Sequence, residues 1–243
     1  MSAAARRALV TGASGALGAA ICRALARSGH EICVHAHQHG EQAEALAQAL
    51  RADGASAGAL QFDVTDQAAT GAALARLLES GPIQILINNA GVHDDAVLPG
   101  MRATQWHRVI DVSLHGFFHV TQPLLLPMIR TRWGRIINMS SVAALTGNRG
   151  QVNYAAAKGA LNSATRALAL ELASRVITVN AVAPGIIASP MSAESFDAAA
   201  IARLVPLQRP GTAEEVAHLV DFLAGDGAAY ITGQVISING GMA

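Results

Sequence analysis

Ala8-Leu9-Val10-Thr11-Gly12-Ala13-Ser14-Gly15-Ala16-Leu17-Gly18 is the stretch that decides the fold. Arg7–Val10 reads as a short buried strand, and Gly15–Ser28 as an alanine-rich helix stopped by Gly29. Between them, Gly12, Gly15 and Gly18 permit a tight turn and a close backbone approach, and they leave an open helix N-terminus. Free N–H groups and the helix dipole at such a turn favour a pyrophosphate, with Ser14, Ala16 and Leu17 as the intervening contacts. A strand-to-helix turn without any ligand is the alternative, because a glycine-rich turn alone is a weak signal.

The same alternation continues outward from this stretch. Strands are predicted at Glu31–His35, Ala59–Phe62, Ile83–Ile87, Arg135–Met139, Val176–Asn180 and Val235–Ile238. Helices are predicted at Glu41–Ala52, Gln67–Glu79, Asn153–Ser174 and Thr212–Ala224, the last behind a Thr-Ala-Glu-Glu capping pattern. A long helical stretch from about Thr104 to Arg132 contains Pro123 and Pro127, which are expected to kink or divide it. Ser189–Val205 reads as a less regular insert on the substrate side. Continuous apolar strands alternating with helices imply an α/β fold, a single-domain, doubly wound parallel sheet spanning residues 1–243. Ligands then bind at the carboxyl ends of the strands.

Composition removes several classes of function. Lys+Arg number 17 against 17 Asp+Glu, so the chain lacks the basic excess of a general nucleic-acid binder. No apolar run approaches the ~20 residues of a membrane span, and the N-terminus has no signal-peptide pattern, so a soluble cytoplasmic protein is expected. Cys22 and Cys33 form neither a disulfide framework nor a metal-ligand spacing. One count is unusual. Of the 17 Lys+Arg residues only Lys158 is lysine, and it follows Tyr154 by four positions. A chain that otherwise uses arginine keeps a compact ammonium where a planar fork does not substitute.

Chemistry-bearing residues recur after each strand. His35, His37 and His39 follow strand two. If the strand continued they would share one face and resemble a metal site, but no matching ligand appears, and no metal is expected. The acidic residue that would hold an unphosphorylated adenosine ribose is missing here, which favours NADP over NAD, with His37 nearest the 2′-phosphate. Asp63-Val64 follows strand three, where the carboxylate can accept from an adenine amino group or simply serve as a helix N-terminal charge. Asn88-Asn89-Ala90-Gly91 follows strand four and can tie loops together beside a cofactor cleft. Ser141 follows strand five. Tyr154 and Lys158, at i and i+4, share a helix face, and a neighbouring ammonium is expected to lower the phenol toward working pH. Tyr154 is then a candidate general acid, with Ser141 on the same substrate oxygen.

Taken together and in order, these motifs resemble the short-chain dehydrogenase/reductase family over essentially the whole chain. The residues that carry the likeness are Thr11-Gly12 to Gly18, Asp63, Asn88-Asn89-Ala90-Gly91, Ser141, Tyr154-x-x-x-Lys158 and Pro184-Gly185. The resemblance implies a Rossmann-type fold, Tyr154 as acid/base, Ser141 orienting the carbonyl, Lys158 on the nicotinamide ribose, and Ile187 and Ser189 at the nicotinamide. Within the family the chain is most similar to bacterial 3-oxoacyl-[acyl-carrier-protein] reductases, through residues 147–158, 177–185 and 232–241. A subgroup encoded with aryl polyene pathways is suggested by the runs at 32–35 and 148–151. That likeness implies NADPH as cofactor, an acyl carrier protein bearing a 3-oxoacyl chain as substrate, and docking through Arg132 and Arg175. It also implies a homotetramer, or a hetero-oligomer with a related reductase.

Three positions depart from the family pattern. Ala16 replaces the usual middle glycine. Gly15 stands where an arginine or lysine often contacts the 2′-phosphate. Ser113 replaces the asparagine of the catalytic tetrad, whose backbone carbonyl holds a proton-relay water in the family. A serine can keep that carbonyl and can bond a carbonyl one turn earlier, bending the helix as a partial substitute. It can also impair the relay, which leaves open a low-activity, reductase-like subunit.

Overall fold

The computed structural model describes residues 5–188 and 197–243. The parallel sheet has seven strands in the order β3-β2-β1-β4-β5-β6-β7. These are β1 (Arg7–Val10), β2 (Glu31–Ala36), β3 (Ala57–Gln61), β4 (Ile85–Asn88), β5 (Gly134–Met139), β6 (Ile177–Pro184) and β7 (Val235–Ile238). Helices α1 (Ala16–Arg27), α2 (Gly40–Ala52) and α3 (Gln67–Glu79) alternate with the first four strands. After β4 come α4 (Ala103–Ile110) and α5 (Gly116–Thr131), then α6 (Ala143–Thr146), α7 (Val152–Leu172), α8 (Ala198–Leu204) and α9 (Ala213–Ala224).

The strands are apolar on both sides because helices cover both sides. Ala8, Val10, Ile85 and Ile87 face a core completed by α1, α2 and α9, including Ile21, Leu25, Leu46, Val216 and Leu223. Leu9 and Leu86 face the opposite core, closed by Leu74, Leu124, Met128 and Leu172. Order reverses between β1 and β4, so the loops leaving those two strands diverge and open a crevice at the carboxyl edge. The capping pattern before α9 forms as read: Thr212 Oγ1 accepts from Glu215 N at 3.1 Å, and Glu215 returns a carboxylate to Thr212 N at 2.8 Å.

The prolines do not divide the long helix. Pro123 and Pro127 both lie inside α5. Their i,i+4 spacing puts both missing donors on one face of a helix that otherwise continues. The division falls earlier, at a wide π-turn over Asp111–His115 that contains Ser113. The sixth strand starts one residue later and ends four later than the sequence pattern suggests. Val176 has a left-handed φ of 61°, Ala181 and Val182 pair with both β5 and β7, and Ala183 and Pro184 pair with β7. Among the described residues, no helix is long and apolar enough to cross a membrane.

Candidate active site

The glycine turn is clamped from two sides. Thr11 Oγ1 accepts from the N–H groups of Asn89 and Ala90, both at 3.0 Å. Asn89 Nδ2 donates to the carbonyls of Thr11 at 2.9 Å and Gly12 at 3.1 Å. From the other side, His35 Nδ1 accepts from Gly12 N at 3.1 Å. Gly12 has φ +63°, and a Cβ there would lie 2.9 Å from Ala90 Cα. A Cβ on Gly18 would lie 2.7 Å from both Ala13 Cα and the Gly12 carbonyl. Ala16, by contrast, is exposed, so the extra methyl disturbs no packing within the chain.

Gly15 caps α1 without any side-chain hydrogen bond. The first N–H groups of α1 have no intrahelical partner and open into the crevice. A cleft of about 290 Å³ lies over them, lined by Gly12, Gly15, Ala16, Leu17, Gly18, Asn89, Ala90, Gly91, Ile187, Ala188 and Ala213. Ile187 is fixed there by a parallel bridge to Gly211. Pro184 ends β6, and Gly185 packs so closely that a Cβ would meet Asn239 Cα at 2.8 Å. Ser14 is half-buried in the turn. Ser189 lies outside the described residues. The close-packed glycines, the unpaired helix N–H groups and the cleft above them fit a dinucleotide.

Beyond the turn, β2 ends at Ala36, so the three histidines do not share a face. His35 is buried, while His37 and His39 are exposed. Among the described residues, no cluster of three or more His, Cys, Asp or Glu could hold a metal. His37 Nε2 lies 3.5 Å from Asp63 Oδ2. Burial acts to raise the Asp63 carboxyl, but hydrogen bonds from Thr65 and the nearby histidines hold it below the usual carboxylate range. Its Oδ1 accepts from Thr65 N at 2.9 Å. Val64 is buried against the turn into α5.

The structure brings Ser141, Tyr154 and Lys158 together at the carboxyl end of β5. Ser141 Oγ accepts from Ala143 N at 3.2 Å, and its hydroxyl is near enough to the Tyr154 phenol to favour the ionised form by hydrogen bonding. Lys158 lies beneath, with Nζ donating to the Met139 carbonyl at 2.8 Å and standing 5.7 Å from the centre of the Tyr154 ring. Gly91 packs over that ammonium, leaving a Cβ only 3.1 Å from it. Burial draws Lys158 from its usual 10.5 down to about 8. Tyr154 does not follow the sequence expectation. Burial raises its pKa, a raising contribution from Asp95 adds to that, and the Ser141 hydrogen bond opposes both. Lys158 directs its charge at a carbonyl rather than at the phenol, so desolvation dominates.

Behind this set, Asn88 Nδ2 donates to Asn138 Oδ1 at 2.9 Å, and Asn138 Nδ2 to Thr165 Oγ1 at 2.8 Å. This buried chain fixes α7 against β4 and β5. Asn153 Nδ2 ties the start of α7 to the carbonyls of Asp94 and Gln105. Ser113 sits in the π-turn with its hydroxyl buried and unpartnered. The expected bond from serine to a carbonyl one turn earlier is therefore not made, yet the helix distortion is present. Ser113 adjoins a cavity of about 10 Å³ together with Thr11, Asn88, Ala90 and Gly116. Arg132 and Arg175 are exposed neighbours, Arg132 reaching the Ser174 carbonyl at 3.5 Å. They lie at the amino ends of β5 and β6, the sheet edge opposite Ser141.

A doubly wound sheet with a dinucleotide crevice at its switch point, and a Ser-Tyr-Lys set beside it, defines an oxidoreductase that works on a nicotinamide cofactor. The short chain dehydrogenase family profile matches residues 6–200. Full-length relatives agree. The chain is 45% identical over 236 residues to the 3-oxoacyl-[acyl-carrier-protein] reductase FabG of Aggregatibacter actinomycetemcomitans, covering 96% of this chain and 98% of that one. It is 44% identical over 238 residues to FabG of Pseudomonas aeruginosa, covering 97% and 96%. It is 43% identical over 237 residues to the 3-oxoacyl-[acyl-carrier-protein] reductase of Synechocystis, again covering 97% and 96%. The chain belongs to the short-chain dehydrogenase family.

Proposed function

We propose that this protein reduces 3-oxoacyl thioesters carried on acyl carrier protein to 3-hydroxyacyl thioesters, with NADPH as the reductant. The observation that carries the reading is the convergence of Ser141, Tyr154 and Lys158 on one point beside the nucleotide cleft. Gly12, Gly15, Ala16, Leu17 and Gly18 would hold the pyrophosphate, Asp63 and Val64 the adenosine, and Ile187 the nicotinamide side. Bound NADPH supplies the hydride that reduces the ketone carbon. Tyr154, kept protonated by burial, gives its proton to the ketone oxygen. Ser141 donates a hydrogen bond to the same oxygen and holds it in reach. Lys158, which keeps its proton only up to about pH 8, would hold the nicotinamide ribose beneath Tyr154.

His37 supports a preference for the phosphorylated ribose. The preference is modest, because Gly15 adds no cation and Asp63 competes for the imidazole at 3.5 Å. Arg132 and Arg175 offer positive charge to an acidic carrier. Their place at the opposite ends of the strands from Ser141 suits docking on one subunit and reaction in another, and the family likeness points to a homotetramer. Phe118 and Leu126 on α5 and Leu170 on α7, exposed by 53%, 66% and 84%, supply apolar surface for that assembly. The test is nucleotide oxidation with a 3-oxoacyl carrier-protein thioester, its coenzyme A analogue and a free ketone, each with NADPH and NADH. The carrier thioester with NADPH is expected to give the highest kcat/KM. A free ketone turned over as well as the thioester would overturn the substrate assignment, and equal kcat/KM with NADH the cofactor assignment.

A further inference from the structure

His35 is a polar side chain on a strand whose other inward positions are apolar, and it is only 1% exposed. Its ring makes two bonds to backbone groups far apart in sequence. Nδ1 accepts from Gly12 N at 3.1 Å, and Nε2 lies 3.0 Å from the Phe62 carbonyl. An N–H group can only donate and a carbonyl can only accept. The ring is therefore the neutral tautomer with its proton on Nε2. Burial keeps it neutral, drawing its pKa down to about 4. The ring also stacks on Phe62, with centroids 4.0 Å apart. In addition, the His35 carbonyl accepts from Ala13 N at 2.7 Å.

One residue thus takes up two consecutive N–H groups of the glycine turn, while Asn89 takes up its carbonyls. The turn cannot rotate its peptide planes toward other partners, and the N–H groups left for an anion are those at the start of α1. Phe62 immediately precedes Asp63-Val64, so the same imidazole joins the turn after β1 to the loop after β3. We propose that His35 is a positioning residue for the nucleotide: it sets the spacing between the loop that grips the pyrophosphate and the loop that grips the adenosine. This rests on the nucleotide-binding reading above.

The test compares His35→Leu and His35→Asn with the unmodified full-length protein. Leucine keeps the bulk and leaves Gly12 N–H and the Phe62 carbonyl unpaired. Asparagine can still accept from Gly12. With His35→Leu, NADPH affinity by fluorescence titration should fall about ten- to a hundredfold, the scale of an orphaned buried polar group. The kcat at saturating NADPH and the KM for the acyl substrate should stay within about threefold. His35→Asn keeps the Gly12 bond but loses the link to the Phe62 carbonyl, so it should recover only part of the lost affinity. Unchanged NADPH affinity in a folded His35→Leu overturns the inference. So does a His35→Asn variant that binds NADPH as tightly as the unmodified protein, or a fall in kcat that parallels the loss of affinity. If His35→Leu does not fold, His35→Asn decides alone: affinity weakened by about threefold or more sustains the link between the loops, and near-normal affinity overturns it. Failure of the unmodified protein to bind any nicotinamide nucleotide would instead remove the nucleotide reading itself, and this inference with it.

Discussion

Replacing Lys158 by methionine should destroy the catalyst and stabilise the fold. The ammonium is 3% exposed and has one hydrogen-bond acceptor, the Met139 carbonyl. Burial lowers it from 10.5 to about 8, a difference worth about 3 kcal/mol. The folded state carries that penalty in full below pH 8, where both folded and unfolded chains hold the proton. Between pH 8 and 10.5 the folded chain has released its proton and the unfolded chain has not, so the penalty is progressively relieved. Methionine fills similar space without a charge but orphans the Met139 carbonyl, which costs about 1 kcal/mol. The net gain is about 2 kcal/mol, or about 4–8 °C in Tm for a chain of this size. Thermal unfolding of Lys158→Met and unmodified protein without nucleotide, at pH 7 and at pH 10.5, reads both parts. The advantage should be present at pH 7 and gone at pH 10.5, where the unpaired Met139 carbonyl leaves the variant about 1 kcal/mol the less stable. A Met variant no more stable at pH 7, or an advantage that persists at pH 10.5, would refute the claim that desolvation of the ammonium governs this position. Lys158→Arg should be inactive as well, since a planar fork does not fit a point-charge site.

Two further outcomes follow from backbone geometry. Gly18→Ala places a methyl 2.7 Å from Ala13 Cα and the Gly12 carbonyl, and rigid backbone cannot yield; nucleotide binding measured by titration should fall at least about tenfold, by the scale of core overpacking. Ser113→Asn acts where the π-turn already exists, so kcat should change by less than about tenfold; a larger gain would show that the missing amide, rather than the turn, limits the chemical step.

The strand and helix alternation was legible because the central strands are buried on both faces and several helices end beside a glycine, as α1, α2, α3 and α9 do at Gly29, Gly54, Gly81 and Gly225. Boundaries were less so. Nothing in the pattern around Val176 signals its left-handed φ, and Pro123 and Pro127 mark a break that the i,i+4 spacing allows the helix to absorb. Tyr154, Lys158 and Ser141 could be found from residue type and spacing. The electrostatics could not. The direction of the Lys158 ammonium, and hence the upward displacement of Tyr154, depends on a carbonyl 19 residues away. His35 was visible only as one of three alternating histidines. Its partners, Gly12 and Phe62, lie 23 and 27 positions distant, and they are backbone groups that carry no side-chain signal. The signal that could have found it is a polar residue at an inward position of a buried strand.

The proposed function turns on Tyr154 as the proton donor for ketone reduction beside bound NADPH. The most direct measurement is single-turnover conversion of a 3-oxoacyl carrier-protein thioester, following NADPH loss and 3-hydroxyacyl product together, in unmodified protein and Tyr154→Phe. The phenylalanine keeps the ring over Lys158 and removes only the hydroxyl. The unmodified protein should consume NADPH and form product in equal amounts, and Tyr154→Phe should react about 10²–10⁴-fold more slowly with NADPH affinity retained. A Tyr154→Phe variant that turns over within about threefold of the unmodified rate, well short of that range, would contradict it.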